Sequence, residues 1–351
     1  MTWLVWRQHR KQLLFAAAAL VALAAFFVGT GRPIHDRFDR AGLPGCLPEA
    51  MEAPVVVDLA ASAPATPGPA PALPEGVDKP PESTTPALDD ATLANARCVQ
   101  DARAFFDDYQ NVIFVGLLLL ILPMLVGMFW GAPLIAREIE DGTHRLVWTQ
   151  GISRLRWATT KVGLVSVAVL VITAIYAGML TWWITPVIQT SGQRFSYIFF
   201  DIHGIVVFGY VVFALALGVF AGAVTGRLLP AMATTVVGFI GVRVAVMLAA
   251  RDHYLPTETR RLPELDTAYS QMRNDLNGDW IVATRTAIDR VECPTGAGDC
   301  ARQGLERSYE LLTIHPARHF WTFQAIETAI FAVLAIGLLI GAIHWTRRRV
   351  T

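Results

Sequence analysis

The chain has 351 residues, of which 54% are hydrophobic and only 17% are charged. A soluble domain would carry about a quarter charged residues, and the apolar residues here are gathered into long blocks, so the composition excludes an ordinary soluble fold. The 29 basic residues balance the 29 acidic residues, and this zero net charge gives no global field that would attract nucleic acid or an acidic substrate. The sequence therefore predicts a polytopic membrane protein.

Six stretches are long and apolar enough to cross a bilayer core, which needs about 20 residues of helix. They are Leu13–Gly29, Val112–Ile135, Val162–Thr185, Gly204–Val224, Pro230–Ala250 and Phe320–Trp345. The first stretch could instead be a cleaved signal peptide, but Thr30–Arg32 offers no clear small-x-small cleavage site. Residues 1–12 mix Trp and Leu with basic residues, which is typical of a helix at the membrane interface. We expect an all-α fold with six membrane spans.

The Arg and Lys residues near the span ends predict the orientation of the chain. They are concentrated in the N-terminal segment, in residues 136–161 between spans two and three, in the turn 225–229 and in the tail 346–351. The link 186–203 holds only Arg194. We therefore expect both termini in the cytoplasm of a multi-pass protein of the cell membrane.

Two large segments, residues 30–111 and 251–319, are predicted to lie outside. Ala60–Pro86 is rich in Pro and Ala, which predicts an extended or disordered loop, and Ala87–Asp108 has the pattern of an amphipathic helix. The second segment contains two helix-forming stretches, so we expect it to form a small helical cap. These stretches are Leu262–Asn277 and Arg302–Leu312.

All four cysteines fall in these outer segments: Cys46, Cys98, Cys293 and Cys300. An even number of cysteines on the oxidising side predicts two disulfides, for which three connectivities exist. We expect the most local one, Cys46–Cys98 with Cys293–Cys300, and free thiols or a lipidated cysteine are the alternative. The spacing matches no zinc site, and we expect no metal.

The predicted cytoplasmic link 136–161 holds the most informative motif. Acidic residues precede a Gly-Thr break, and a basic segment then leads into span three, which predicts a charged helix–turn–helix at the inner membrane surface. A solvated loop with an interfacial Trp is the alternative. The candidate residues are Arg137, Glu138, Glu140, Asp141, Gly142, Thr143, Arg145, Ser153 and Arg154.

This link, together with Leu146, Gly151 and Lys161, resembles the coupling element of type-2 ABC exporter permeases. The lead-in to the last span, His315–Glu327, looks like that of an actinobacterial subgroup of this family. The six-span order, the N-terminal interfacial helix and the short turn between spans four and five share the resemblance. It implies a bacterial plasma-membrane exporter subunit that moves a lipophilic or amphipathic substrate outward. It also implies two separate ATPase subunits and a second permease copy, in a homodimer or a heterodimer.

The chain contains no G-x-x-x-x-G-K-[ST] sequence, so ATP and Mg²⁺ are expected on the partner ATPase and no cofactor on this chain. A membrane enzyme is a second class, disfavoured because the spans lack H-E-x-x-H, paired Asp and stacked His residues. A third class is a sensor or scaffold whose outer region binds a ligand. It shares the coupling-like link with the exporter.

Two charged residues, Arg243 and Glu327, fall inside spans, where charges are costly and usually have a purpose. Arg243 in span five and Glu327 in span six are both predicted about 10 Å below the outer surface, so they could form an ion pair. Such a pair would fix helix packing or act in substrate passage. At the outer mouth of span four, Asp201 precedes His203, which is either an interfacial cap or a ligand or pH sensor.

Small residues and prolines predict where the spans pack closely or bend. Gly218, Gly222 and Gly226 recur every four residues, which predicts a face for close helix packing, within the chain or at a dimer seam. Pro123 and Pro133 predict a bend in span two or at its exit.

Overall fold

The computed structural model describes residues 2–52, 90–142, 154–263, 278–290 and 306–349. These residues contain six helices that are long and apolar enough to cross a membrane, so the six predicted spans are confirmed. The fold is mainly helical, as predicted, but it also contains a three-stranded sheet. The helices are α1 (Thr2–Arg40), α2 (Leu43–Glu52), α3 (Asp90–Tyr109), α4 (Val112–Leu119), α5 (Leu122–Val126), α6 (Ala132–Glu140), α7 (Arg154–Ser191), α8 (Tyr197–Ile202), α9 (Val206–Thr225), α10 (Leu228–Ala249) and α11 (Phe320–Arg349).

The first span belongs to one continuous helix. The 39 residues of α1 reach about 58 Å, almost twice the thickness of a bilayer core. A separate interfacial helix at residues 1–12 and a loop starting at residue 30 are therefore wrong. The helix continues because Thr30 accepts a hydrogen bond from the Trp183 indole of α7 at 2.8 Å, and because His35 stacks on Trp182.

The second span is interrupted, unlike the uninterrupted helix that its apolar pattern predicts. It consists of α4, α5, a π-helical turn at Gly127–Gly131 and α6. Pro123 has no amide hydrogen to donate into the preceding turn, so the regular helix ends at Leu119. The predicted bend near Pro123 therefore takes the form of a helix break.

The segment predicted as a helical cap, residues 251–319, contains a sheet among its described residues. The antiparallel strands are β1 (Glu258–Pro263), β2 (Trp280–Arg290) and β3 (Glu306–His315), in the order β1-β3-β2. The predicted helix at Arg302–Leu312 is wrong over residues 306–312, because pairing with two neighbours outweighs the helix propensity of their Glu and Leu residues. Residues 264–277 of the other predicted helix lie outside the described residues.

The centre of the bundle is α9. Its apolar window is 83% buried, compared with 6% for α1, because spans two, five and six all pack around it. The sheet, α2 and α3 lie at one end of the bundle, called here the sheet end. The opposite end, called the α6 end, carries the C-terminus of α6 and the turn from α9 to α10.

A disulfide joins α2 to α3 at the sheet end. Cys46 and Cys98 are bonded with their Cα atoms 6.0 Å apart, as predicted, whereas Cys293 and Cys300 lie outside the described residues. Each bonded cysteine packs in the core that α2 and α3 share with α1 and α7. The predicted loop Ala60–Pro86, which the bond spans in sequence, also lies outside the described residues.

Replacing Cys46 and Cys98 by serine should destabilise the sheet end. The bond closes a separation of 52 residues, and bonds across loops of this size stabilise by about 2–4 kcal/mol. We expect a lower midpoint of thermal unfolding for the full-length chain and, in the wild type, a Cys46–Cys98 peptide in non-reducing mass spectrometry. Alkylation of either thiol without reductant would refute the bond.

Candidate functional site

The end of α6 is tied to α7 by a buried ion pair. The Lys161 ammonium donates to the Glu138 carboxylate, and the two side chains are only 4% and 13% exposed. Glu138 therefore faces the protein's own third span. A charged pair this well buried holds the two helices in one relative position, because separating the charges in a low dielectric is costly.

A second contact ties α6 to the fifth span. The Glu140 carboxylate accepts a hydrogen bond from the Leu228 backbone amide at 2.8 Å, at the first residue of α10. A carboxylate stabilises the start of this helix in two ways. It accepts a hydrogen bond from an amide that has no partner within the helix, and its negative charge is attracted to the positive end of the helix dipole. The turn before α10 is tight because Gly226, in the left-handed conformation with φ of 59°, ends α9.

The opposite face of α6 is exposed. Arg137 and Asp141 form an i,i+4 pair at 3.8 Å with side chains 70% and 58% exposed. Gly142 then ends the helix with a φ of 67°, which favours glycine. Among the other predicted coupling residues, Thr143, Arg145 and Ser153 lie outside the described residues, and the structure describes only the helical backbone of Arg154.

The predicted small-residue face packs within the chain. A Cβ atom on Gly218 would come within 2.4 Å of the Gly127 carbonyl oxygen, and one on Gly222 within 2.7 Å of the Ala132 oxygen. Span four therefore touches the backbone of the π turn and of α6 directly. Gly226 ends α9 at the tight turn before α10.

A buried charge cluster lies near the sheet end. At its centre, Arg251 is 1% exposed and donates to Asp201 at 2.6 Å and to Glu327 at 2.8 and 3.0 Å. The Tyr210 hydroxyl lies against both carboxylates, at 2.9 Å from Asp201 and 2.5 Å from Glu327. Because each side chain comes from a different element, the cluster connects α8, α9, α11 and the turn after α10.

Arg243 joins the same cluster from inside α10. Its guanidinium donates to Asp201 at 2.7 Å and to the Leu120 carbonyl at 3.2 Å, and it lies over the Tyr210 ring. The Leu120 carbonyl lies at the break of span two, so Arg243 supplies a donor where the regular helix is interrupted. The cluster contains two guanidinium groups and two carboxylates, which makes it electrically neutral.

The predicted direct pair of Arg243 with Glu327 is therefore wrong, although both residues belong to one cluster. Glu327 binds Arg251, and Arg243 binds Asp201. Arg251 is absent from the predicted site residues because it directly follows the apolar stretch of span five and falls in the predicted outer segment. The sequence signal that could have identified it is an arginine one residue beyond the end of a predicted span.

His203 packs between aromatic rings at the sheet end. Its ring lies 5.8 Å from Phe320 and 6.3 Å from Trp321. Burial, aided by the nearby Arg194 charge, lowers the pKa of His203, so its imidazole is neutral at neutral pH. In the described residues no group of three or more His, Cys, Asp or Glu side chains could hold a metal ion.

One protein-family model matches part of the chain. Residues 82–251 match the model described as ABC-2 membrane transporter related, a segment that contains α3, spans two to five, and both arginines of the charge cluster. No curated protein and no solved structure matches the chain.

Proposed function

We propose that this chain, a multi-pass protein of the cell membrane whose residues 82–251 match the ABC-2 membrane transporter related family, is the permease subunit of an ATP-driven exporter. In this proposal the α6 end faces the cytoplasm and binds separate ATPase subunits, which hold ATP and Mg²⁺. Two permease copies, most simply a homodimer, work with two ATPases. The cargo is a lipophilic or amphipathic molecule that moves outward.

The pair of contacts from α6 to spans three and five carries this proposal. An ATPase that displaces α6 must also displace α7 through Lys161 and α10 through Leu228, because the buried ion pair and the hydrogen bond to the start of α10 oppose independent movement. Such a rigid-body shift is how a small motion at one site reaches a distant one. The direct packing of Gly218 and Gly222 against the same stretch extends the moving unit to span four.

The exposed face of α6 leads to a specific test of ATPase binding. Exchanging the charges of Arg137 and Asp141, as R137E with D141R, preserves their intrahelical pair and the net charge while inverting the field that a partner meets. We expect at least tenfold less ATPase to co-purify with the tagged full-length chain, measured by quantitative mass spectrometry.

The matched control is the same exchange in the exposed pair of Arg37 and Asp108 at the sheet end, which should leave co-purification unchanged. Undiminished ATPase recovery with the α6 exchange would refute the assignment of α6 as the docking helix.

A further inference from the structure

A cavity of about 750 Å³ lies between α1, the interrupted second span and α7. Its membrane-facing rim includes Phe15 and Phe129, whose side chains are 79% and 49% exposed. The cavity is therefore accessible from the bilayer. Its volume is in the range of pockets that enclose small-molecule ligands.

The cavity is polar at one end and apolar along its length. Lys11 and Gln12 line it at the membrane boundary, close to the start of the first span. Leu122 and Leu125 line it farther along. A molecule that fits this gradient has a polar, negatively charged head and a hydrocarbon body.

The depth of the cavity matches one leaflet of a bilayer. Along the second span its lining runs from Trp130 to Leu122, eight residues or about 12 Å of helix. One leaflet contributes about 15 Å of hydrocarbon. Phe129 and Trp130 belong to the π-helical turn, and such turns occur frequently at functional sites.

We propose that this cavity binds an anionic membrane lipid, with an acyl chain along the apolar walls and the head-group phosphate on Lys11. A lysine near the membrane surface attracts anionic lipids, and the long alkyl stem lets its ammonium reach the head-group level. This inference goes beyond export, because it concerns binding to the permease chain alone and requires no ATP.

The role of the Lys11 charge in lipid binding can be tested by measuring which lipids the protein retains. The full-length chain is reconstituted in vesicles of equimolar phosphatidylglycerol and phosphatidylcholine and extracted mildly, and the bound lipids are counted by mass spectrometry. We expect at least a threefold preference for phosphatidylglycerol, which K11Q should reduce towards one. The control R10Q changes the neighbouring charge, which does not line the cavity, and should keep the preference.

The cavity itself can be tested by filling it. Ala16 lines the cavity whereas Ala18 lies exposed on the same helix, so A16W should halve the total retained lipid and A18W should not. Gel filtration establishes that both variants remain folded. Equal lipid retention by A16W and A18W, or an equal loss of preference in K11Q and R10Q, would overturn the proposal.

Discussion

Replacing Glu138 by glutamine together with Lys161 by methionine should uncouple the complex without dissociating it. Glu138 is buried against α7 and is not on the exposed face of α6, so the ATPase should still co-purify. The ion pair that ties α6 to span three is lost, however, and we expect at least tenfold less transport for each ATP hydrolysed. The double change is chosen because a lone buried charge would destabilise the fold.

The control for this experiment is Glu140→Gln. Glutamine keeps an oxygen that accepts the Leu228 amide hydrogen bond, so this variant should retain most of the transport, with a modest loss from the weaker interaction with the helix dipole. Transport at the wild-type rate by the Glu138–Lys161 double variant would show that the buried pair does not transmit motion.

Removing Arg251 should be the most destabilising single change in the charge cluster. Asp201 and Glu327 are 5% and 1% exposed. In Arg251→Met these two buried carboxylates are left with a single guanidinium, that of Arg243, which pairs with Asp201. Breaking a buried pair in this way costs about 3–5 kcal/mol. We expect a large fall in the midpoint of thermal unfolding of the purified full-length chain.

A double-mutant cycle tests the pairing of the cluster. Arg251→Met with Glu327→Leu keeps Asp201 paired with Arg243, so the double variant should lose less stability than the two single losses added together. Arg37→Met removes a half-exposed pair with Asp108 and should cost no more than about 1 kcal/mol. Additive losses, or an Arg251 variant as stable as the Arg37 variant, would contradict the contacts described here.

The sequence could predict the spans because their signal is one-dimensional. A helix that crosses a bilayer needs a long apolar stretch, and each of the six stretches predicted one. The spacing of Gly218 and Gly222 likewise indicated close packing. The spacing could not predict which segment of the chain these glycines contact, because the rotation of one helix against its neighbour depends on the packing of all the helices.

The errors arise where a tertiary contact decides between local alternatives. A charged residue such as Glu138 is normally exposed, and here it is buried in a pair with Lys161, 23 residues later. Equal depth correctly indicated that Arg243 and Glu327 lie near each other, but Arg251 competes for Glu327 from just beyond the apolar stretch. In β3 the helix-forming residues are overridden by hydrogen bonds to both neighbouring strands.

The central claim, that this chain is the permease of an ATP-driven exporter, is tested most directly by transport in inside-out vesicles. Vesicles that contain the chain and its co-purifying ATPase should accumulate at least one compound of a lipophilic panel when ATP is added, and the Glu138–Lys161 double variant should accumulate at least tenfold less. An intact complex that hydrolyses ATP but accumulates no compound from a broad panel would contradict the exporter account and favour a sensor or scaffold.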